Sequence, residues 1–141
     1  IARHLYDFRL CIVAHRDYLA TKGMPQDPKA LAQLDWISFS NERYSSLVLN
    51  NQTEQVTISP DYRISCNSLY ASRKLTLNRL GVSIQPDIEV EQSLKSGELV
   101  QLFPDWTLPS VPLYLVTLQR IQSEKVRIAC EMIVDYFSRQ K

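Results

Sequence analysis

Short apolar runs alternate with helix-like stretches along almost the whole chain, and this alternation limits the fold more than any other feature. Residues 9–14, 35–39, 47–49, 55–58, 62–65, 82–84, 98–103 and 112–117 read as strands. Asp17 is placed as the cap of a brief helix through Tyr18, Leu19 and Ala20 that Gly23 ends. Pro28 suits the first turn of a second, residues 29–33. Asn50-Asn51-Gln52 reads as a turn between two strands, and residues 40–46 as a polar loop. Asn67 or Ser68 caps a third helix with Ala71, Leu75 and Leu77 facing inward and Gly81 at its end. Residues 87–95 form a fourth, closed by Gly97. The clearest helix is the last, 123–139, with Ser123 as N-cap and one stripe of Val126, Ala129, Cys130, Ile133 and Phe137. Strands interleaved with helices imply an α/β layer structure.

Composition removes several function classes. The 141 residues suit one domain with a sizeable buried core, and 45% hydrophobic with 22% charged residues is ordinary for a globular protein. Sixteen basic against fifteen acidic residues leave a net charge of +1, which argues against a dedicated nucleic-acid module. No apolar run approaches membrane-span length and no signal-peptide pattern opens the chain, so no membrane partner is expected. Cys11, Cys66 and Cys130 lie far apart, which points to a reducing, cytoplasmic setting. Cys11 and Cys130 sit in apolar patterns as small hydrophobes; Cys66, among polar neighbours, keeps a redox-sensing alternative. The chain starts at Ile1 rather than Met, and is expected to be a fragment.

Motif chemistry points away from catalysis. Three glycines, at 23, 81 and 97, cannot build a phosphate loop, and neither a nucleophile elbow nor a His-Glu-x-x-His run occurs. His4 and His15 have no zinc-like spacing, so no catalytic residue, metal or cofactor is assigned. Two polar corners remain. Ser65-Cys66-Asn67-Ser68 lies between a strand and a helix, where hydroxyls and free N–H groups can hold a carboxylate or another small anion. Helix capping alone explains the same residues. Residues 38–45 offer hydroxyls, an amide and an aromatic ring, or simply a solvated turn.

Three ordered stretches carry a family resemblance. Leu10-Cys-Ile-Val-Ala-His-Arg-Asp-Tyr-Leu-Ala20, then Gly23-Met-Pro25 and Asp27-Pro-Lys-Ala-Leu31, resembles the LysR-type regulator pattern of a strand, "Ala-Ser-Pro-x-Tyr-Leu", and "Gly-x-Pro…Pro-x-x-Leu". Asn67-Ser-Leu69 with Leu80-Gly-Val-Ser-Ile-Gln-Pro86 is similar to the family's helix and its "Gly-Leu-Gly-Ile-Ala-x-Leu-Pro" strand. Gly97-Glu-Leu-Val-Gln-Leu-Phe-Pro-Asp-Trp106 and Pro112-Leu-Tyr-Leu-Val116 resemble "Gly-x-Leu-Val-x-Leu-Leu-Pro-x-Trp…Pro-Leu-Tyr".

The resemblance implies an α/β, periplasmic-binding-protein-like (type 2) lobe, a mixed sheet flanked by helices, plus a C-terminal helix belonging to the other lobe. Residues from about 6 to 117 would be the second lobe, with 123–139 returning to the first; the DNA-binding winged helix-turn-helix lies outside this chain. The implied function is effector sensing for a DNA-binding transcription regulator, with a small molecule held between two lobes and no chemistry performed. DNA would be a partner only through the missing N-terminal part, and a homodimer or larger homo-oligomer is expected from the terminal stripe. Effector candidates are Ser38, Phe39, Ser40 and Tyr44 with Ser65, Cys66, Asn67 and Ser68; Asn67 and Ser68 would bond a polar group, Phe39 or Tyr44 the apolar body. The alternatives are a transport-type solute-binding protein of the same architecture and a small α/β enzyme. Two departures stand out. Arg79 occupies the first Gly of the family's Gly-x-Gly, so Asn78 is expected to take the left-handed conformation or the helix to run on a turn. His15-Arg16 replaces Ser-Pro, leaving that turn less constrained.

Overall fold

A computed structural model describes residues 1–39, 46–118 and 122–140. In chain order its first elements are β1 (Ala2–Phe8), β2 (Leu10–His15), α1 (Arg16–Lys22), a 3₁₀ helix (Pro28–Gln33), β3 (Asp35–Ser38), β4 (Leu47–Asn50) and β5 (Gln55–Ile58). They are followed by β6 (Asp61–Ser65), α2 (Leu69–Leu77), β7 (Val82–Pro86), α3 (Asp87–Ser96), β8 (Leu99–Leu102), β9 (Val111–Val116) and α4 (Glu124–Ser138). The chain forms two compact units, Arg9–Pro109 and a smaller one joining Ile1–Phe8 to the segment from Ser110 onward.

The larger unit is built on a five-stranded mixed sheet in the order β6-β3-β7-β2-β8. β3 runs parallel to β6 and β7, whereas β2 is antiparallel to both its neighbours. β2 is buried from Cys11 to His15, as its unbroken apolar run requires of a strand covered on both faces. Its side chains divide by alternation. Ile12 and Ala14 join Leu31, Trp36, Leu49, Ile58, Val82 and Leu102 in the main core, while Cys11 and Val13 meet Val90 and Leu99 in a smaller one. Trp36 anchors the main core, and its indole Nε1 donates to the Leu31 carbonyl at 2.8 Å, tying the 3₁₀ helix to the sheet. Gly81 lies against β3: a Cβ there would stand 2.2 Å from the Asp35 carbonyl oxygen.

The β4–β5 hairpin pairs in register from Leu47↔Ile58 to Asn50↔Gln55. The Asn51 side-chain oxygen closes its turn by accepting from the Thr53 and Glu54 amides at 2.9 and 2.6 Å. Asn50 and Thr107 exchange backbone bonds of 3.0 and 2.7 Å, which holds the hairpin to the segment after β8.

Helix ends follow local chemistry, with two corrections. Asp17 does not cap α1; the helix starts two residues earlier, at Arg16 with His15 as the cap, and the His15 Nδ1 accepts from the Asp17 amide at 3.0 Å. Asp17 falls instead in the first turn, where a carboxylate favours the helix dipole. Nor does Asn78 take the left-handed conformation after α2. Arg79 does, with φ 68°, because its amide bonds the Thr76 carbonyl and the Leu80 amide bonds Leu75 in the paired pattern that closes a helix. Its guanidinium Nε donates to Asp17 at 3.0 Å. Asp27 caps the 3₁₀ helix and Gly97, at φ 80°, closes α3.

The smaller unit pairs β1 antiparallel with β9, with a register shift between His4 and Tyr6. β1 is an element the sequence reading did not assign. β9 pairs with β1 and not with the five-stranded sheet, so both strands fall outside the compact Arg9–Pro109 unit. α4 packs on β1 through Phe137, whose ring centroid lies 5.9 Å from that of Tyr6. Its half-buried face is Cys130, Val134 and Phe137, whereas Val126, Ala129 and Ile133 of the expected stripe are exposed within this chain.

Candidate functional site

The sheet's parallel half assembles a polar corner from residues far apart in sequence. β3 and β6 run in the same direction, so their carboxyl ends share one edge, with Ser38 opposite Ser65 in register. The Cys66 amide donates to the Ser38 carbonyl at 2.9 Å, extending the pairing by one residue. The Cys66 thiol points the same way, donating to the carbonyls of Ser38 and Ser68 at 3.3 and 3.5 Å. Ser68 is the N-cap of α2: its hydroxyl oxygen accepts from the Ala71 amide at 3.2 Å, and its carbonyl accepts from Ser72 at 3.0 Å. The Ser68 hydroxyl proton stays available to a second acceptor.

Ser38, Ser65, Cys66 and Ser68 therefore lie together at the strand carboxyl ends, beside a helix N-terminus. Such edges collect ligands in open α/β sheets, since backbone N–H groups and short hydroxyls face outward there. Asn67 is exposed in the same turn, and Phe39 follows Ser38 with 48% of its surface open. Ser40 and Tyr44 lie outside the described residues.

Beneath α2 lies a polar cluster that sequence reasoning missed. The helix was expected to face inward through Ala71, Leu75 and Leu77; these are half-buried, and its buried residues are Ser72 and Thr76. Gln85, with no exposed surface, donates through Nε2 to Ser72 Oγ at 2.7 Å and to Ser83 Oγ at 3.0 Å. Ser83 and Thr76 share a hydroxyl bond of 2.7 Å. The Gln85 Oε1 is buried and has no hydrogen-bond partner. A signal was present: Ser83 and Gln85 stand where the resembled strand pattern has Ala and Leu.

Charged groups gather at the opposite end of β3. The Tyr18 hydroxyl donates to Asp35 Oδ2 and accepts from the Asp35 amide, both at 2.9 Å. Lys22 and Arg63 approach the same carboxylate at 3.5 and 3.7 Å. Burial, then the Asp35 carboxylate, pushes the Tyr18 phenol up to about 12 even though the Asp35 amide pulls it down. This is a structural clasp between α1 and β3. Burial and the charge of Asp87 raise the Cys11 thiol to about 11, so it behaves as core rather than as a nucleophile. Among the described residues no cluster of three or more His, Cys, Asp or Glu side chains could hold a metal ion. No described helix is long and apolar enough to cross a membrane. A cavity of about 560 Å³ lies apart from the corner, within the smaller unit, where Arg3, Leu115 and Thr117 face Arg127, Val134 and Asp135.

Comparison with known proteins gives this geometry a family. The model of the LysR substrate binding domain matches residues 1–138. The HTH-type transcriptional regulator PtxR of Pseudomonas aeruginosa is 32% identical over 99% of this chain, which covers 45% of that protein. CrgA of Neisseria meningitidis, another HTH-type transcriptional regulator, is 31% identical over 75% of the chain and 36% of its own length. The full-length structure of AphB, a Vibrio cholerae virulence activator of the LTTR family, superposes with TM-score 0.83 at 27% identity, over 97% of this chain and 48% of that one. The regulatory domain of CrgA shares the fold at TM-score 0.77 and 21% identity, over 97% of this chain and 68% of that domain. The chain thus spans less than half the length of the full regulators it matches. Residues 1–138, with the mixed sheet and its flanking helices, belong to the LysR substrate-binding domain family, whose regulatory domains have the periplasmic-binding-protein-like type 2 fold.

Proposed function

We propose that this chain is the effector-sensing part of a longer, cytoplasmic DNA-binding transcription regulator, and that it binds a small molecule without transforming it. In this reading Arg9–Pro109 is the second lobe, and β1, β9 and α4 belong with the first. The observation that carries the proposal is the polar edge where Ser38 meets Ser65 and Ser68 caps α2. Asn67 and Ser68 take a polar group of the effector, Ser38, Ser65 and Cys66 line the same edge, and Phe39 contributes apolar surface. Ser40 and Tyr44, outside the described residues, stay in the proposal on the sequence resemblance. A carboxylate suits the corner, because amide and hydroxyl donors converge there beside the positive end of a helix dipole.

DNA contact in this reading comes from chain beyond these residues, in keeping with the +1 net charge. The exposed Val126, Met132 and Ile133 of α4 favour assembly into a homodimer or larger homo-oligomer. The test is a thermal-shift screen of small acids and amino acids on the complete regulator, repeated with Asn67→Ala. Ligands that bind the folded state raise the melting temperature, and the substitution weakens that rise.

A further inference from the structure

We infer that Gln85 is a positioning residue for the effector corner: through Ser72 it fixes where α2, and with it Asn67 and Ser68, sits on the sheet. The inference rests on the reading of that corner as the effector site. The fully buried residues of α2 are Ser72 and Thr76, spaced one turn apart on a single face; its apolar contact with the core is half-buried Leu77, at the far end of the helix from the corner. Below them β7 offers Ser83 and Gln85, two residues apart and hence also on one face. Apolar packing is non-directional and tolerates small sliding. Hydrogen bonds of 2.7 and 3.0 Å do not, since lengthening them leaves buried polar atoms without partners.

Gln85 is an expensive choice for this position. Its Oε1 is buried without a partner, a cost that leucine, the residue of the resembled pattern, would not carry. Leucine would also leave no hydroxyl stranded. Ser72 Oγ already donates to the Leu69 carbonyl at 3.0 Å, and Ser83 is bonded to Thr76. What glutamine adds is direction: one amide group ties α2 to β7 at a single register. The tie reaches the corner in one further bond, because the Ser72 amide donates to the Ser68 carbonyl at 3.0 Å.

The experiment is backbone amide exchange on the complete regulator and its Gln85→Leu and Ser72→Ala variants, alongside thermal melts. In Gln85→Leu we expect the melting temperature to hold within about 2 °C or rise. The Ala71 and Ser72 amides should nevertheless exchange at least about fivefold faster, with β2 and β7 amides unchanged. Ser72→Ala, which deprives the Gln85 amide of one acceptor, should lower the melting temperature alone and have almost no effect in the Gln85→Leu background. Unchanged Ala71 and Ser72 exchange in Gln85→Leu overturns the inference. So does faster exchange spread evenly through the sheet, or equal Ser72→Ala costs in both backgrounds. No ligand enters this test, so it can fail while Asn67→Ala still weakens effector binding, or succeed while that substitution does nothing.

Discussion

Gly81 is the position where one methyl group should do the most damage. Its backbone passes so close to β3 that an added Cβ would lie 2.2 Å from the Asp35 carbonyl oxygen and 3.1 Å from its carbon. Both atoms are backbone, so no side chain can rotate away. Ordinary contact requires the two strands to part by about 1 Å, and interiors packed at crystal density resist that. The strain falls on the pairing of Trp36 with Val82, which are 1% and 0% exposed, and on the Asp35 clasp to Tyr18. Overpacking of this kind costs about 1–3 kcal/mol and sometimes more. Loosening the Trp36–Val82 pairing of β3 with β7 places Gly81→Ala at the upper end, about 3 kcal/mol, or a melting temperature lower by about 6–12 °C.

Gly97 is the control. A Cβ there meets nothing within 4 Å, so Gly97→Ala carries only the left-handed penalty at φ 80°. That is about 1–2 kcal/mol, reduced by the stiffer unfolded chain. Urea denaturation followed by circular dichroism, with unchanged slope in each variant, gives the comparison directly. Equal destabilisation by the two substitutions would refute the close-approach reasoning.

Two further outcomes follow from local strain and from ionisation. Arg79 holds φ 68° and trades that strain for an exposed pair with Asp17, which is worth little in water; Arg79→Gly should therefore stabilise the fold by about 0.5–1 kcal/mol in the same denaturation assay. The Tyr18 phenol is raised from 10.0 to about 12, so its contribution is whole below pH 10 and is lost as pH climbs through about 12. Alkaline melts should show this loss between those values, and Tyr18→Phe, though less stable at neutral pH, should show a shallower one.

Much of this fold was legible because its strands are plain. β2 is an unbroken apolar run ended by a cap, β7 is a short segment between Gly81 and the α3 helix with Pro86 at its end, and α3 is bounded by Pro86 and Gly97. β1 escaped notice because Leu5 is its one buried residue and charged side chains interrupt it. α2 misled for the opposite reason: its apolar residues invited an inward placement, while the sheet below offers hydroxyl and amide groups that pair with Ser72 and Thr76. The corner was legible as two separate polar segments. That Ser38 and Ser65 stand side by side depends on the parallel pairing of β3 and β6 across the hairpin, which no local pattern encodes. Arg79 shows the same limit, since the closing bonds at Thr76 and Leu75 overrode a residue preference of about 1 kcal/mol.

The edge formed by Ser38, Ser65, Asn67 and Ser68 is proposed to receive the effector. Asn67 gives the cleanest measurement: it is exposed, and the cap of α2 is supplied by Ser68. Titration calorimetry of the complete regulator with whichever small acid or amino acid raises its melting temperature should show Asn67→Ala binding about tenfold more weakly, the worth of one hydrogen bond to a charged group. The melting temperature without ligand should stay unchanged. An effector affinity equal to that of the parent in Asn67→Ala and in Asn67→Ala/Ser68→Ala would contradict the account.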